Sequence, residues 1–421
     1  MKQKIGIVSL GCPRNLVDSE DILGRITRKG YSVVDIRRAD IALVNTCSFI
    51  EDAKRESIDV LLDLIDLKKE GRLKKIIVYG CLAERYRGQL QRELPEIDAF
   101  VGCVSLNRSS DRFAISVPHY AYVKICEGCI DNCSFCIIPR IKGTFRSLDM
   151  QSVLNKVNCL DKAGVAEINI IGQDTSSYGM DLYGEPRLTE LVKKVVESVR
   201  HAGWVRLLYL NPLRITDELL GAIADSGKVC KYIDVPIQHI NNRILKLMNR
   251  KTRRSQIIAL IKKIRERIPQ VALRTSIMVG FPSETDKEFK ELLTFIEEMQ
   301  FERLGAFIYS KEEGTAAYRY GNQIPKLVKI ERFNAVMASQ QKISRQINRQ
   351  FLGKAMEVLI DEKEKDVYLG RSQYDAPEVD GSVYVHSKRT LAPGEFVKVR
   401  ITDTLEYDLV GEASTDEYRL K

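Results

Sequence analysis

Three cysteines within eight residues constrain this chain more than any other feature: Cys129–Ile–Asp–Asn–Cys133–Ser–Phe–Cys136. Spacers of three and then two residues let one short loop bring three sulfurs onto one small inorganic body. Three thiolates can hold three irons of a four-iron, four-sulfur cluster and leave the fourth iron without a protein ligand, open to bind and reduce something. Structural zinc asks for four protein ligands, and a set of inert buried thiols is the remaining alternative. Cys126, just upstream, could compete as a fourth ligand. It makes two C-x-x-C pairs, but the spacer between them is far shorter than the usual zinc pattern.

The 421 residues predict about three domains. Ten cysteines, three of them in a cluster-type loop, argue for a reducing compartment, so the expected location is the cytoplasm. No apolar run is long enough to span a bilayer, and the N-terminal MKQKIGIVSLG lacks a signal-peptide pattern. The net charge of +9 favours an anionic neighbourhood such as RNA, but it is uneven. From Lys354 onward fifteen acidic residues face ten basic ones, so the rest of the chain is more basic than the whole.

In the first hundred residues, short β-type runs (Ile5–Leu10, Ile41–Thr46, Lys75–Tyr79, Ala99–Val101) alternate with helical patterns over Leu16–Arg28 and Ala53–Lys69. That alternation predicts βαβ units and a parallel sheet. Each of the first three runs leads into a cysteine: Cys12, Cys47 and Cys81. Sites in open α/β sheets form beyond the carboxyl ends of strands, so three distant thiols can converge on a second cluster. Three buried structural thiols are the alternative. Cys103 also follows a strand and reads as a bystander more than as a fourth ligand.

Between Tyr120 and Ile308 the pattern repeats. Strands are expected at Tyr120–Ile125, Glu167–Ile171, Val205–Leu210, Tyr232–Pro236, Leu273–Val279 and Arg303–Ile308, with helices such as Leu188–Arg200, Asp217–Ala224 and Glu288–Met299 between them. Successive βα units closing on themselves make a barrel or partial barrel whose site lies at the strand C-termini. The loops to watch are Gly172–Gln173–Asp174, Asn211, Gln238–His239 and Gly280 to Glu284. Asp174 and Thr175 also suit a helix cap, and capping is the expected role of Ser283 and Glu284. His239 reads as a structural histidine, and Arg140 and Lys142 as exposed charges.

Pro325 opens a long amphipathic helix to Arg349, ended at Gly353. Five short strands follow, which predicts a small β-barrel. Its acidic balance disfavours phosphate binding and suits a basic protein partner, with Asp375, Glu378 and Asp380 expected on the docking face.

The C-x-x-x-C-x-aromatic-C loop resembles the signature of the radical S-adenosylmethionine (SAM) enzymes. With the second set of three cysteines, the whole chain resembles the methylthiotransferases, which insert a methylthio group into an unactivated C–H bond. Ser9 to Glu20, Pro236–Ile–Gln–His239 and Ala376–Pro–Glu–Val–Asp–Gly381 are similar to the branch acting on an aspartate of small-subunit ribosomal protein S-twelve. The sister branch modifies a tRNA adenosine and is the alternative. The resemblance implies an α/β chain in three parts: a cluster domain over 1–110, a radical SAM partial (βα)6 barrel over 111–350, and a small β-barrel called TRAM over 351–421. It implies two [4Fe-4S] clusters, held by Cys12, Cys47 and Cys81 and by Cys129, Cys133 and Cys136. Phe135, Gly172, Gln173, Asp174, Gln238 and Gly280 are the implied SAM contacts, Phe135 lying against adenine. SAM cleavage would yield the radical that takes hydrogen from the aspartate β-carbon, the sulfur coming from the first cluster. An electron donor such as flavodoxin or ferredoxin is implied as well.

Overall fold

The computed structural model describes residues 3–414. The N-terminal sheet is parallel throughout, in the order Ser32–Val33, Lys4–Ser9, Ile41–Thr46, Lys75–Gly80, Ala99–Phe100. Its strands are apolar on both faces because helices cover both. Ala42, Val44, Ile76 and Val78 point to the side where helix Glu51–Lys69 buries Leu61, Leu64 and Ile65. Ile5, Leu43 and Tyr79 point to the other side, against Ile22 and Ile26 of helix Pro13–Arg28. The two-residue edge strand Ser32–Val33 is too short to announce itself in sequence.

Six parallel strands form the centre: Tyr120–Lys124, Glu167–Ile171, Trp204–Leu207, Tyr232–Asp234, Ala272–Val279 and Arg303–Ile308. They divide into two three-stranded ladders. The seam between third and fourth is spanned by a Val205–Val229 bridge and by the Leu210 N–H, which donates to the Asp234 carbonyl at 2.9 Å. The third strand ends earlier than the hydrophobic run suggested, because Tyr209 turns the chain left-handed (φ 62°), and the fourth stops at Asp234, before Pro236.

Helix Lys326–Asn348 leads to a closed barrel ordered Ala355–Glu364, Val367–Ser372, Val383–His386, Leu409–Ala413, Phe396–Thr404. This barrel packs on the N-terminal ends of the central strands. Glu167, fully buried, accepts from Arg206 (2.7 Å) on the centre and Arg371 (2.6 Å) on the barrel. Trp204 meets Phe396 edge to face, centroids 4.9 Å apart.

One expectation is overturned here. Asp375 and Asp380 are turned inward and do not form an outward docking face, whereas Glu378 is exposed as expected. Asp375 pairs with Arg303 at 2.8 Å, Asp380 accepts from Tyr232 (2.6 Å) and Arg274 (3.3 Å), and Glu378 accepts from Tyr120 (2.8 Å). Counting charge by segment could not reveal that the acids answer arginines and tyrosines at strand starts 72 to 258 residues earlier. The excess of acid also includes Asp416 and Glu417, which lie outside the described residues.

Candidate functional site

Three strand ends of the N-terminal sheet each deliver a thiol. Cys12 caps helix Pro13–Arg28, Cys81 opens helix Cys81–Glu93, and Cys47 follows strand Ile41–Thr46. Helix N-termini favour negative charge, which suits thiolates. The turn at Gly11 (φ +89°) runs so close to Cys47 that a Cβ there would fall 2.7 Å from the Cys47 Cβ. At Gly80 (φ +93°) a Cβ would fall 2.3 Å from the Asn45 side chain. Glycine at both positions is what lets the thiols approach one another. Ser57 holds the Cys47 backbone at both ends, its hydroxyl accepting from the amide (3.1 Å) and donating to the carbonyl (3.0 Å).

The second loop is fastened at three points. The Ser134 amide and hydroxyl donate to the Met248 and Leu247 carbonyls (2.9 and 2.7 Å), and Asn249 donates to the Asn132 carbonyl (2.6 Å). Arg250 faces the Cys133 sulfur at 3.8 Å and donates to the Pro236 carbonyl at 2.7 Å. Arg214 donates to both Asp131 oxygens (3.0 and 3.1 Å) and to Asp174 (2.7 Å), tying the loop to the second strand end.

Both sets of three thiols line one cavity of about 410 Å³, at the C-terminal ends of the central strands. Burial pushes Cys47 and Cys129 up to about 11 and Cys136 up to about 12. Cys12 goes the other way. Burial alone would raise it, but the Arg14 guanidinium and the amides of Asn15 and Arg14 outweigh burial and lower it. Arg14 itself reaches across the cavity, donating to the Gly172 carbonyl (2.8 Å) with its guanidinium 4.4 Å from the Tyr209 ring centroid. Nothing in the sequence pattern singled out Arg14, Arg214 or Arg250.

Three family models match the chain: uncharacterized protein family UPF0004 over residues 4–102, the Radical SAM superfamily over 123–296, and the TRAM domain over 352–413. The ribosomal protein uS12 methylthiotransferase RimO of Clostridioides difficile (strain 630) is 46% identical, covering 97% of this chain and 98% of its own. The same-named protein of Geobacter sulfurreducens is 44% identical, covering 98% of each. The chain belongs to the uS12 methylthiotransferase family. In fold it is also similar to the radical SAM methyltransferase TsrM from Kitasatospora setae (TM-score 0.55, 12% identity, 82% of this chain and 89% of that one).

The cavity of this methylthiotransferase fits the cofactors of its family. Its donor set is sulfur-rich, and the Gln173 Oε1 is buried with no hydrogen-bond partner, ready for an ammonium. Asp174 is less free. It already receives Arg214 and the hydroxyls of Ser176 and Ser177. Phe135, Gln173, Asp174 and Gln238 line the cavity, whereas Gly172 and Gly280 do not. Gly172 lies against the Cys126 sulfur, and the open face of Gly280 is covered by Lys329.

The surplus thiols lie apart from the cavity lining. Cys126 is buried with its sulfur 3.6 Å from the Asp174 carbonyl, and Cys103 packs against Cys81. Cys159 is exposed and Cys230 is buried in another core. His239 is fully buried and accepts from the Asn241 amide at 3.0 Å, a structural role. Two expectations need correcting. Ser283 and Glu284 do not cap the next helix. Thr285 does, in a capping box with Glu288, while Glu284 turns inward to accept from the Phe281 amide at 3.1 Å. Arg140 is exposed as expected, but the Lys142 side chain is 3% exposed and bonds to Glu127 at 2.7 Å.

Proposed function

We propose that this enzyme adds a methylthio group to the β-carbon of an aspartate in small-subunit ribosomal protein S12, in the cytoplasm where that protein is made. The observation that carries the reading is two three-thiol sets facing one cavity in a chain built like the uS12 enzymes over nearly its full length. The part boundaries are taken near residues 110 and 350. Cys129, Cys133 and Cys136 would hold the cluster that binds SAM, and Cys12, Cys47 and Cys81 the one that carries sulfur, together supplying radical and sulfur chemistry.

The chain's own contribution is position and dryness. Asp131, Arg214 and Asp174 lock the radical loop to a strand end. Gln173 offers an acceptor to the SAM ammonium, and Phe135 lines the cavity while packing against the buried cluster of Phe281 and Tyr309. Phe49, Ile50 and Ala53 make the opposite wall apolar, a lining of low polarity around the reacting groups. A small electron donor of the flavodoxin or ferredoxin kind would supply the electron.

The test is anaerobic turnover of the reconstituted enzyme with SAM and reductant on S12 and, in parallel, on tRNA, each read by mass spectrometry. Methylthiolation of the S12 aspartate is expected. Efficient modification of tRNA adenosine with none on S12 would overturn the substrate reading while leaving the radical chemistry in place.

A further inference from the structure

The cavity wall contains three cations, and they are not equivalent. Lys142 is neutralised by Glu127 (2.7 Å) and Asp18 (3.5 Å). Arg250 belongs to the radical-loop wall, held by the Pro236 carbonyl beside Cys133. Arg14 lines the same cavity as both thiol sets: it follows Cys12 on the N-terminal side and reaches the Gly172 carbonyl of the central strands at 2.8 Å. Among the described residues it pairs with no carboxylate, its partners being the Gly172 carbonyl, the Tyr209 ring and the neighbouring Cys12 thiol. The acids nearest on the same wall, Asp131 and Asp174, are taken by Arg214.

We propose that Arg14 grips the carboxylate of the target aspartate and thereby sets its β-carbon between the two thiol sets. The inference rests on the function proposed above and names the residue that reads the substrate. A carboxylate entering a cavity walled by Phe49, Ile50 and Phe135 loses water and needs a counter-charge. A guanidinium offers a planar fork that matches a carboxylate with two parallel hydrogen bonds. Stacking on Tyr209 and one bond to Gly172 fix the plane of that fork before substrate arrives. Tyr209 is itself held in its left-handed turn by the Asp234 carboxylate, which accepts from its amide at 2.9 Å. The reacting β-carbon is one covalent bond from the carboxylate carbon, so a grip on one fixes the other. The same grip selects against neutral bases. An adenine edge would leave the guanidinium desolvated and unanswered.

The test compares S12 carrying aspartate with S12 carrying asparagine at the target position, a change that keeps the β-carbon and removes the charge. Both are offered to the reconstituted full-length enzyme, unaltered or with Arg14→Lys, Arg14→Gln or Arg14→Ala, and kcat/KM is measured. The unaltered enzyme should favour aspartate by about 100-fold or more. Arg14→Gln and Arg14→Ala should bring that ratio to within about threefold of unity, with Arg14→Lys between. A residue that merely supports the fold would lower both rates and keep the ratio. Iron content, measured beside each rate, separates cluster loss from substrate reading, and Arg14→Gln, which keeps a polar, neutral side chain in place of the methyl of alanine, serves where Arg14→Ala loses iron. An aspartate preference that survives in Arg14→Gln, or a defect confined to the KM for SAM, would overturn the proposal. An unaltered enzyme inert on both forms of S12 would overturn the function reading itself.

Discussion

Replacing Asp18 by asparagine should loosen the join between the N-terminal sheet and the central strands, with a pH dependence that identifies the cause. Asp18 comes from the helix that Cys12 caps and pairs with Lys124 and Lys142. Glu127 completes the group, 2.7 Å from Lys142 and 3.4 Å from Lys124. All four side chains are less than a tenth exposed, at 6% for Asp18, 2% for Lys124, 3% for Lys142 and 9% for Glu127. Burial alone would lower both lysines, but Asp18 and Glu127 outweigh it and raise them. Their stabilisation is therefore present below the ordinary lysine value and is lost as pH rises through the raised one. In Asp18→Asn two ammonium groups share one carboxylate. Leaving a buried charge unpaired costs about 3–5 kcal/mol. The loss has a ceiling, because one lysine can shed its proton. From an ordinary value near 10.4, that costs about 1.4 kcal/mol per pH unit, or about 5 kcal/mol at pH 7. The penalty should shrink to about 2 kcal/mol at pH 9, a fall of about 1–3 kcal/mol from pH 7. Urea unfolding of the cluster-free protein, with hydrogen exchange over helix Pro13–Arg28, measures it at both pH values. Adding Lys124→Met restores one acid against one base and should recover most of the loss. A penalty under about 1 kcal/mol, flat in pH, or a double variant worse than either single one, would refute a dry charge group at this join.

Anaerobic reconstitution should give about eight irons per chain, and replacing either thiol set by alanine should halve the count; complete loss from one triple variant with the fold intact would end the claim of two independent clusters. Serine variants of Cys103, Cys126, Cys159 and Cys230 should keep their iron, and a cluster lost from Cys103→Ser, whose thiol packs on Cys81, would enlarge the ligand set. Gly172→Ala should disturb SAM binding, since its Cβ would fall 2.3 Å from the Cys126 sulfur, and adding Cys126→Ala should restore SAM affinity in a binding titration. Glu167→Gln should let the C-terminal barrel detach about 3–5 kcal/mol more easily, seen as a red shift of the single tryptophan, Trp204, at lower urea than global unfolding.

Thiols and periodicity were legible because their spacing is local. The loop Cys129 to Cys136 declares three donors within eight residues, and each N-terminal strand announces its cysteine. The six central strands and the five of the small barrel were readable for the same reason, since period and turn residues act over a few positions. Polar partners were not readable. Arg14 meets Gly172, Asp18 meets Lys124, and Arg303 meets Asp375 across separations of 158, 106 and 72 residues, and no period links such pairs. Hence Lys142 was expected in solvent and Asp375 on a docking face, when each is answered from another part of the chain.

Three separately matched segments invite the idea of cassettes exchangeable among relatives. The seating of the C-terminal barrel argues against free exchange. Its Arg371, Asp375, Glu378 and Asp380 are met by Glu167, Arg303, Tyr120, Tyr232 and Arg274, drawn from five of the six central strands. A barrel transplanted without those strand starts would bring buried charges and no answers to them. A chimera that exchanges the barrel should therefore carry the strand starts with it, cutting through the core of a neighbouring segment instead of at the linker.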